Sequence, residues 1–144
     1  MEWLVACEEI RRLKARYFRA VDTKSWDLLA EVFAPDAVSG PNERGDVTVG
    51  IEAITERLRN ALGEVQTVHQ GHSPEVELTS PTTADAVWAQ EDHLWGFPAG
   101  STGRVHGYGH YYDTYVKLDG GWRIASTRLV RIRVDVTPPE PDDA

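Results

Sequence analysis

Residues 58–72 read LRNALGEVQTVHQGH, and the organisation of the chain turns on them. Up to Leu62, apolar residues recur at Ile51, Ile54, Leu58 and Leu62. That is the three-to-four spacing of a helix with one buried stripe, over 51–62. Gly63 is the residue expected just past such a helix. Beyond it the apolar period falls to two. Strand-like segments follow at about 65–79, 84–97, 104–118 and 121–136, rich in Val, Thr, Trp and Tyr. Ser80-Pro81, Pro98-Ala99-Gly100 and Asp119-Gly120-Gly121 divide them, and Asp-Gly is a strong hairpin signal.

Upstream of the pivot the pattern is helical. Trp3, Leu4, Cys7, Ile10, Leu13, Tyr17, Ala20 and Val21 form one stripe of a helix over 3–21, with Glu8, Glu9, Arg11, Arg12 and Arg16 on the other face. Ser25 is placed to cap a short helix from Trp26 to Phe33, which Ala34-Pro35 stops. Short strands at 37–39 and 47–49 flank a turn-rich stretch, 40–45. Helices first and antiparallel strands afterwards predict an α+β domain over 1–136, with helices covering one face of a curved sheet. Residues 137–144, rich in Pro and acids, are expected to form a disordered tail.

The composition excludes several classes. A chain of 144 residues is the size of one domain. Its formal charge is −8, and four of its acids (Asp135, Glu140, Asp142 and Asp143) fall in the last ten residues. Nucleic-acid binding needs clustered bases, which are absent. Cys7 is the only cysteine, so there is no disulfide framework. No apolar run has the roughly 20 residues of a membrane span, and the first residues do not read as a targeting segment. The expectation is a soluble, cytoplasmic protein with no nucleic-acid or membrane partner.

Five histidines invite chemistry. His106 and His110 share a strand face but stand about 13 Å apart at ~3.3 Å per residue, too far to hold one metal ion together. A metal site would need histidines from different strands, so no metal is expected. His69 and His72 fall on opposite faces of an uninterrupted strand, and Gly71 before Pro74 is placed for a bulge. Glu91, His93, Trp95 and Phe97 share one face of the second long strand, and Trp88, Gln90, Asp92 and Leu94 share the other. Either face could line a pocket. On the last strand Arg128 reads either as a buried ion-pair partner or as a residue at the rim. Asp22, ending the first helix, is either a loop acid or an anion in need of a partner, because a helix C-terminus disfavours a carboxylate. Phosphate-cradling loops, nucleophile elbows and dinucleotide fingerprints are missing.

The order of these elements resembles the SnoaL-like branch of the nuclear transport factor 2-like superfamily over about residues 5–135. The motifs that carry the resemblance are the run from Tyr17 to Leu29 around Asp22-Thr23-Lys24-Ser25-Trp26-Asp27, then Phe33-Ala34-Pro35-Asp36-Ala37, then His69 with the turn after it, and Tyr115 to Ile124. The resemblance implies a cone-shaped α+β barrel with a deep pocket, in a homodimer packed through the sheet. Within the superfamily the Asp22 stretch is similar to scytalone dehydratases and hexachlorocyclohexane dehydrochlorinases, which use an Asp–His dyad without a cofactor. The matching positions are Asp22 and His69. The dehydratases carry a tyrosine where this chain has Val21, their second histidine falls near Phe97 and not on His93, and their pocket serine and asparagine fall at Gly109 and Tyr111. The dyad is kept and its surroundings differ. The resemblance therefore implies a lyase or isomerase of small apolar or polyketide-like molecules, with Tyr111, His93, Trp95 and Phe97 as substrate-binding candidates. Two other readings stand beside it. One is epoxide opening or cyclisation by paired carboxylates among Glu91, Asp92 and Asp113, with Arg128 between them. The other is a non-catalytic binding module.

Overall fold

The computed structural model describes residues 1–141; the part of the expected tail at 142–144 lies outside the described residues. Helix α1 (Glu2–Asp22) leads through a short 3-10 helix (Trp26–Glu31) into β1 (Phe33–Ser39). Then come β2 (Thr48–Val49), α2 (Ile51–Leu62), and the long strands β3 (Gln66–Ser80), β4 (Thr83–Trp95), β5 (Arg104–Leu118) and β6 (Gly121–Thr137). The six strands form one sheet in the order β2-β1-β6-β5-β4-β3. Only β1 and β6 run parallel. β2 and β3 are its free edges, so the cone is not closed by hydrogen bonds. Beyond Thr137, the Glu140 backbone N–H still donates to Thr102 Oγ1 at 2.7 Å.

Two local expectations change. Phe33 opens β1 and does not end the preceding helix, because it pairs with Ile124 of β6. Ser25 makes no side-chain cap; its hydroxyl hydrogen-bonds the Thr23 hydroxyl at 2.8 Å. The apolar stripe of α1 is also shorter than its pattern. Trp3 and Leu4 are 50% and 56% exposed, and burial becomes continuous only from Ile10 onward.

The buried face of α1 lies in the concavity of the sheet, against β3 and β6. Ile10, Leu13, Tyr17, Phe18 and Val21 pack there on Phe33, Trp88, Tyr111, Trp122 and Ile124. In the middle of this apolar contact sits a charge, Lys14, with no solvent exposure. Its Nζ lies 2.7 Å from Asp113 Oδ2 on β5, and 3.8 Å above the ring centre of Tyr111. Asp113 also accepts from the Tyr115 hydroxyl (2.7 Å) and the Thr127 hydroxyl (2.6 Å). The indole N–H of Trp88 in turn donates to Tyr115 Oη at 3.1 Å. Every polar group of this buried network thus has a partner, as low dielectric requires. Burial pulls the Lys14 pKa down, and the Asp113 carboxylate opposes that pull.

Gly71 on β3 marks another close approach. A Cβ there would stand 2.6 Å from the Phe18 ring and 3.3 Å from the Trp88 ring. Only a bare backbone lets the helix settle this deeply.

Removing one partner of a buried pair leaves an uncompensated charge, at a cost of about 3–5 kcal/mol. Lys14→Met should lower the unfolding free energy by about that much in urea denaturation. Adding Asp113→Asn, which removes the stranded charge, should recover part of the loss.

Candidate active site

Asp22 is the last residue of α1, held where the chain turns out of the helix. Its Oδ1 accepts from His69 Nδ1 at 2.6 Å and from the Thr67 hydroxyl at 2.9 Å. Its Oδ2 accepts from the backbone N–H of His69, also at 2.9 Å. Lys24 Nζ donates to Thr67 Oγ1 at 3.1 Å, extending the chain of donors. Burial disfavours the anion here, but the two hydrogen bonds from His69 and the one from Thr67 outweigh it, and the carboxyl lies below its ordinary pKa. Asp22 is therefore an anion at neutral pH. Parity explains the partnership: Thr67, His69 and Gly71 alternate along β3 and share its concave face. His72 lies on the other face, and the strand's register breaks between His72 and Glu75.

The imidazole of His69 lies parallel to the Phe18 ring, with the planes 7° apart. With Nδ1 engaged by Asp22, Nε2 makes no hydrogen bond among the described residues. The ring lines a cavity of about 560 Å³ walled by β3–β6, α2 and the 39–44 segment. Leu58, Leu94, Phe97, Val105 and Leu129 supply its apolar wall. Tyr17, Tyr111, Asp92 and Arg131 are among its polar groups, with Arg57, Glu43 and Arg44.

Asp92 stands directly across from His69 in the β3–β4 ladder. Its two oxygens receive Nη1 and Nη2 of Arg131 on β6, at 2.5 and 2.9 Å. This fork-to-fork pair is the strong geometry for Arg and carboxylate. Burial tends to discharge Arg131, but the hydrogen bonds and charge of Asp92 hold its pKa above the ordinary value. Gly107 of β5 lies between the two. A Cβ there would overlap Arg131 Nη1 and stand 2.5 Å from Asp92 Oδ1, so the ion pair requires glycine. The two tyrosines stay neutral. Burial, aided by the negative charge of Asp113, pushes Tyr17 up to about 12. Burial also raises Tyr111 well above its ordinary value.

Of the residues singled out in the sequence, Asp22 and His69 are brought into direct contact, and Tyr111 and Phe97 line the cavity. His93 and Trp95 do not. They alternate with Asp92 and Leu94, which face the cavity, and so lie on the outer face of the sheet. Glu91 is outside as well, and Asp113 is locked to Lys14. Arg128 sits exposed over the Tyr112 ring, 5.5 Å from its centre. The arginine of the cavity is Arg131, which plain alternation along β6 hides. Ile124 pairs with Tyr115 and Ser126 with Thr114, leaving Ala125 as an extra residue; Ile132 is a second one, between Arg131 and Arg133. Each bulge reverses which parity points inward. Arg131 was therefore missed, and Tyr17 was read only as part of the buried stripe of α1.

A model of the SnoaL-like domain matches residues 4–128. A probable cyclase of Gibberella zeae is 28% identical over 138 residues, covering 85% of this chain and 89% of the relative. Among solved structures, a hexachlorocyclohexane dehydrochlorinase of type 2 superposes with a TM-score of 0.84 at 18% identity, over 99% of this chain and 98% of its own. A protein of Novosphingobium aromaticivorans assigned as a scytalone dehydratase superposes with a TM-score of 0.81 at 22% identity, over 98% and 95%. At these identities the two structures establish the fold, the nuclear transport factor 2-like cone, and the domain match establishes the family. The chain belongs to the SnoaL-like domain family.

Proposed function

We propose that the protein is a cofactor-free lyase or isomerase, acting by proton abstraction in the apolar cavity. The observation that carries this reading is the grip of Asp22 on both the ring Nδ1 and the backbone N–H of His69, beside a cavity sized for a small molecule. Asp22 sets the tautomer: Nδ1 keeps its proton and Nε2 is left as the base. Nε2 takes a proton from a carbon next to a carbonyl or a leaving group. In elimination the electron pair moves into the adjacent bond as the leaving group departs; in isomerisation it delocalises, and the imidazolium returns the proton to another atom of the anion. Asp22 stabilises the imidazolium formed in between. The Tyr111 hydroxyl and the N–H groups of Arg131 not used by Asp92 are the donors available to a developing oxyanion. A cyclase among the relatives, and a dehydrochlorinase and a dehydratase among the structures, support this class of chemistry.

The epoxide-opening reading needs two free carboxylates in the cavity. Of Glu91, Asp92 and Asp113 only Asp92 lines it, and Arg131 already occupies both its oxygens. Product formed in oxygen-18 water separates the readings. Elimination or isomerisation leaves the label out, and its incorporation would favour hydrolysis. A binding module, the remaining alternative, would hold ligand without turnover. The same reading carries a homodimer or higher homo-oligomer in the cytoplasm, and a sedimenting mass near the single-chain 16.1 kDa would overturn it. Among the described residues no helix is long and apolar enough to cross a membrane.

His69→Ala and Asp22→Asn should each lower kcat by about 10²–10⁴ on a panel of β-hydroxycarbonyl and β-halogenated substrates, the span typical of a lost general base. Circular dichroism should show both folded, and wild-type rates in either would sink the assignment. Tyr111→Phe keeps the ring over the Lys14 ammonium and removes only the hydroxyl. It should cut kcat with little change in thermal stability. The depressed pKa of Asp22 also makes a stability prediction. Its contribution is present above its unfolded value, about 3.9, and is lost as pH falls through the lower folded value. Asp22→Asn should therefore flatten the acid limb of the stability profile measured by thermal melts.

A further inference from the structure

The outer face of the sheet, away from the cavity, gathers three histidines that the dyad does not use. His72 of β3, Glu91 and His93 of β4, and His106 of β5 alternate with the inward-facing Gly71, Asp92 and Gly107. His93 and His106 are direct partners in the β4–β5 ladder, and their ring centres lie 3.6 Å apart. Glu91 reaches both: Oε2 is 2.9 Å from His106 Nε2 and 3.6 Å from His93 Nε2. Its other oxygen, Oε1, lies 3.7 Å from His72 Nε2.

Donor atoms of Glu91, His93 and His106 all fall within 4.8 Å of one another. Ligands bound to one tetrahedral ion at about 2.0–2.1 Å stand roughly 3.3 Å apart. The contacts to Glu91, from 2.9 to 3.7 Å, bracket that separation. In the single chain the three side chains are about one-third exposed. The Tyr108 hydroxyl, 3.3 Å from His106 Nδ1, is placed to orient that ring from behind, as outer partners of metal-bound imidazoles do.

We propose that Glu91, His93 and His106, with His72 at the margin, form a binding site for a divalent transition metal ion of the zinc class. Imidazole and carboxylate donors favour zinc, cobalt, nickel or copper over magnesium and calcium. The site would fasten β4 to β5 beside the loop that joins them, on the side of the sheet opposite the cavity. None of its residues belongs to the proposed dyad, so it stands or falls separately from the catalytic reading.

The test uses the untagged full chain, stripped with a chelator and titrated with Co²⁺ while visible absorption is followed. One saturating equivalent per chain is expected, displaced by Zn²⁺ and not by Mg²⁺, and Zn²⁺ should raise the melting temperature. His93→Ala and His106→Ala should each weaken binding at least about tenfold. Glu91→Gln, which keeps the side-chain shape, should do the same. His110→Ala, on the same face but outside the cluster, and His69→Ala, in the cavity, should leave the affinity unchanged. Absence of a saturating equivalent would overturn the site. So would equal Co²⁺ affinity in the His93→Ala/His106→Ala double variant, or loss of binding in the His69 or His110 variant.

Discussion

The buried ion pair between Lys14 and Asp113 governs the rest of the molecule. An apolar helix face in an apolar trough can slide, since the hydrophobic effect has no direction. A single cation that must meet a single anion cannot. With Asp113 held by Tyr115 and Thr127, Lys14 has one destination, and α1 takes one axial position on the sheet. Asp22 lies eight residues further on, about 12 Å along the axis at 1.5 Å per residue. Fixing Lys14 thus fixes where the helix ends, and so delivers Asp22 to His69. Tyr17 and Phe18, one turn beyond Lys14, are placed at the cavity by the same anchor.

Charge is arranged in layers across the sheet. Lys14 and Asp113 neutralise each other at the bottom of the concavity, and Asp92 and Arg131 do so across its wall. Glu43, Arg44 and Arg57 also line the cavity, and behind His69 lies the anion of Asp22, whose donors all come from Thr67 and His69 of β3. An imidazole that becomes cationic beside it would meet its counterion within one hydrogen bond. Low dielectric strengthens that pairing and leaves few competing partners.

Much of this was readable in the sequence wherever a period persisted. The switch at Gly63 and the Asp119-Gly120 turn placed the four long strands to within a few residues. The Asp22–His69 pair was legible through a family resemblance, since nothing in local spacing joins a helix end to a strand 47 residues away. Periodicity could not say which strand face is concave, and His93 and Trp95 were assigned to the wrong side for that reason. Arg131 was hidden because two bulges reset the parity of β6 while exposed Val130 and Ile132 carry the even-numbered apolar pattern of Trp122 and Ile124 past it. Lys14, in the polar alphabet of an amphipathic helix, reads as solvent-facing until its partner on β5 is seen. The cluster around Glu91 was invisible too, because the ladder register that sets His93 opposite His106 depends on the length of the intervening loop.

The double attachment of Asp22 to His69 has a chemical corollary. Only one of the three hydrogen bonds to the carboxylate comes from the imidazole; the others come from a hydroxyl and from the main chain. A protein whose side chain at 69 is cut back to a methyl group therefore retains an oriented anion facing an empty slot of imidazole shape, backed by the flat ring of Phe18. Such a slot is a ready socket for a free azole diffusing in from solution, so the imidazole at this position is a replaceable part.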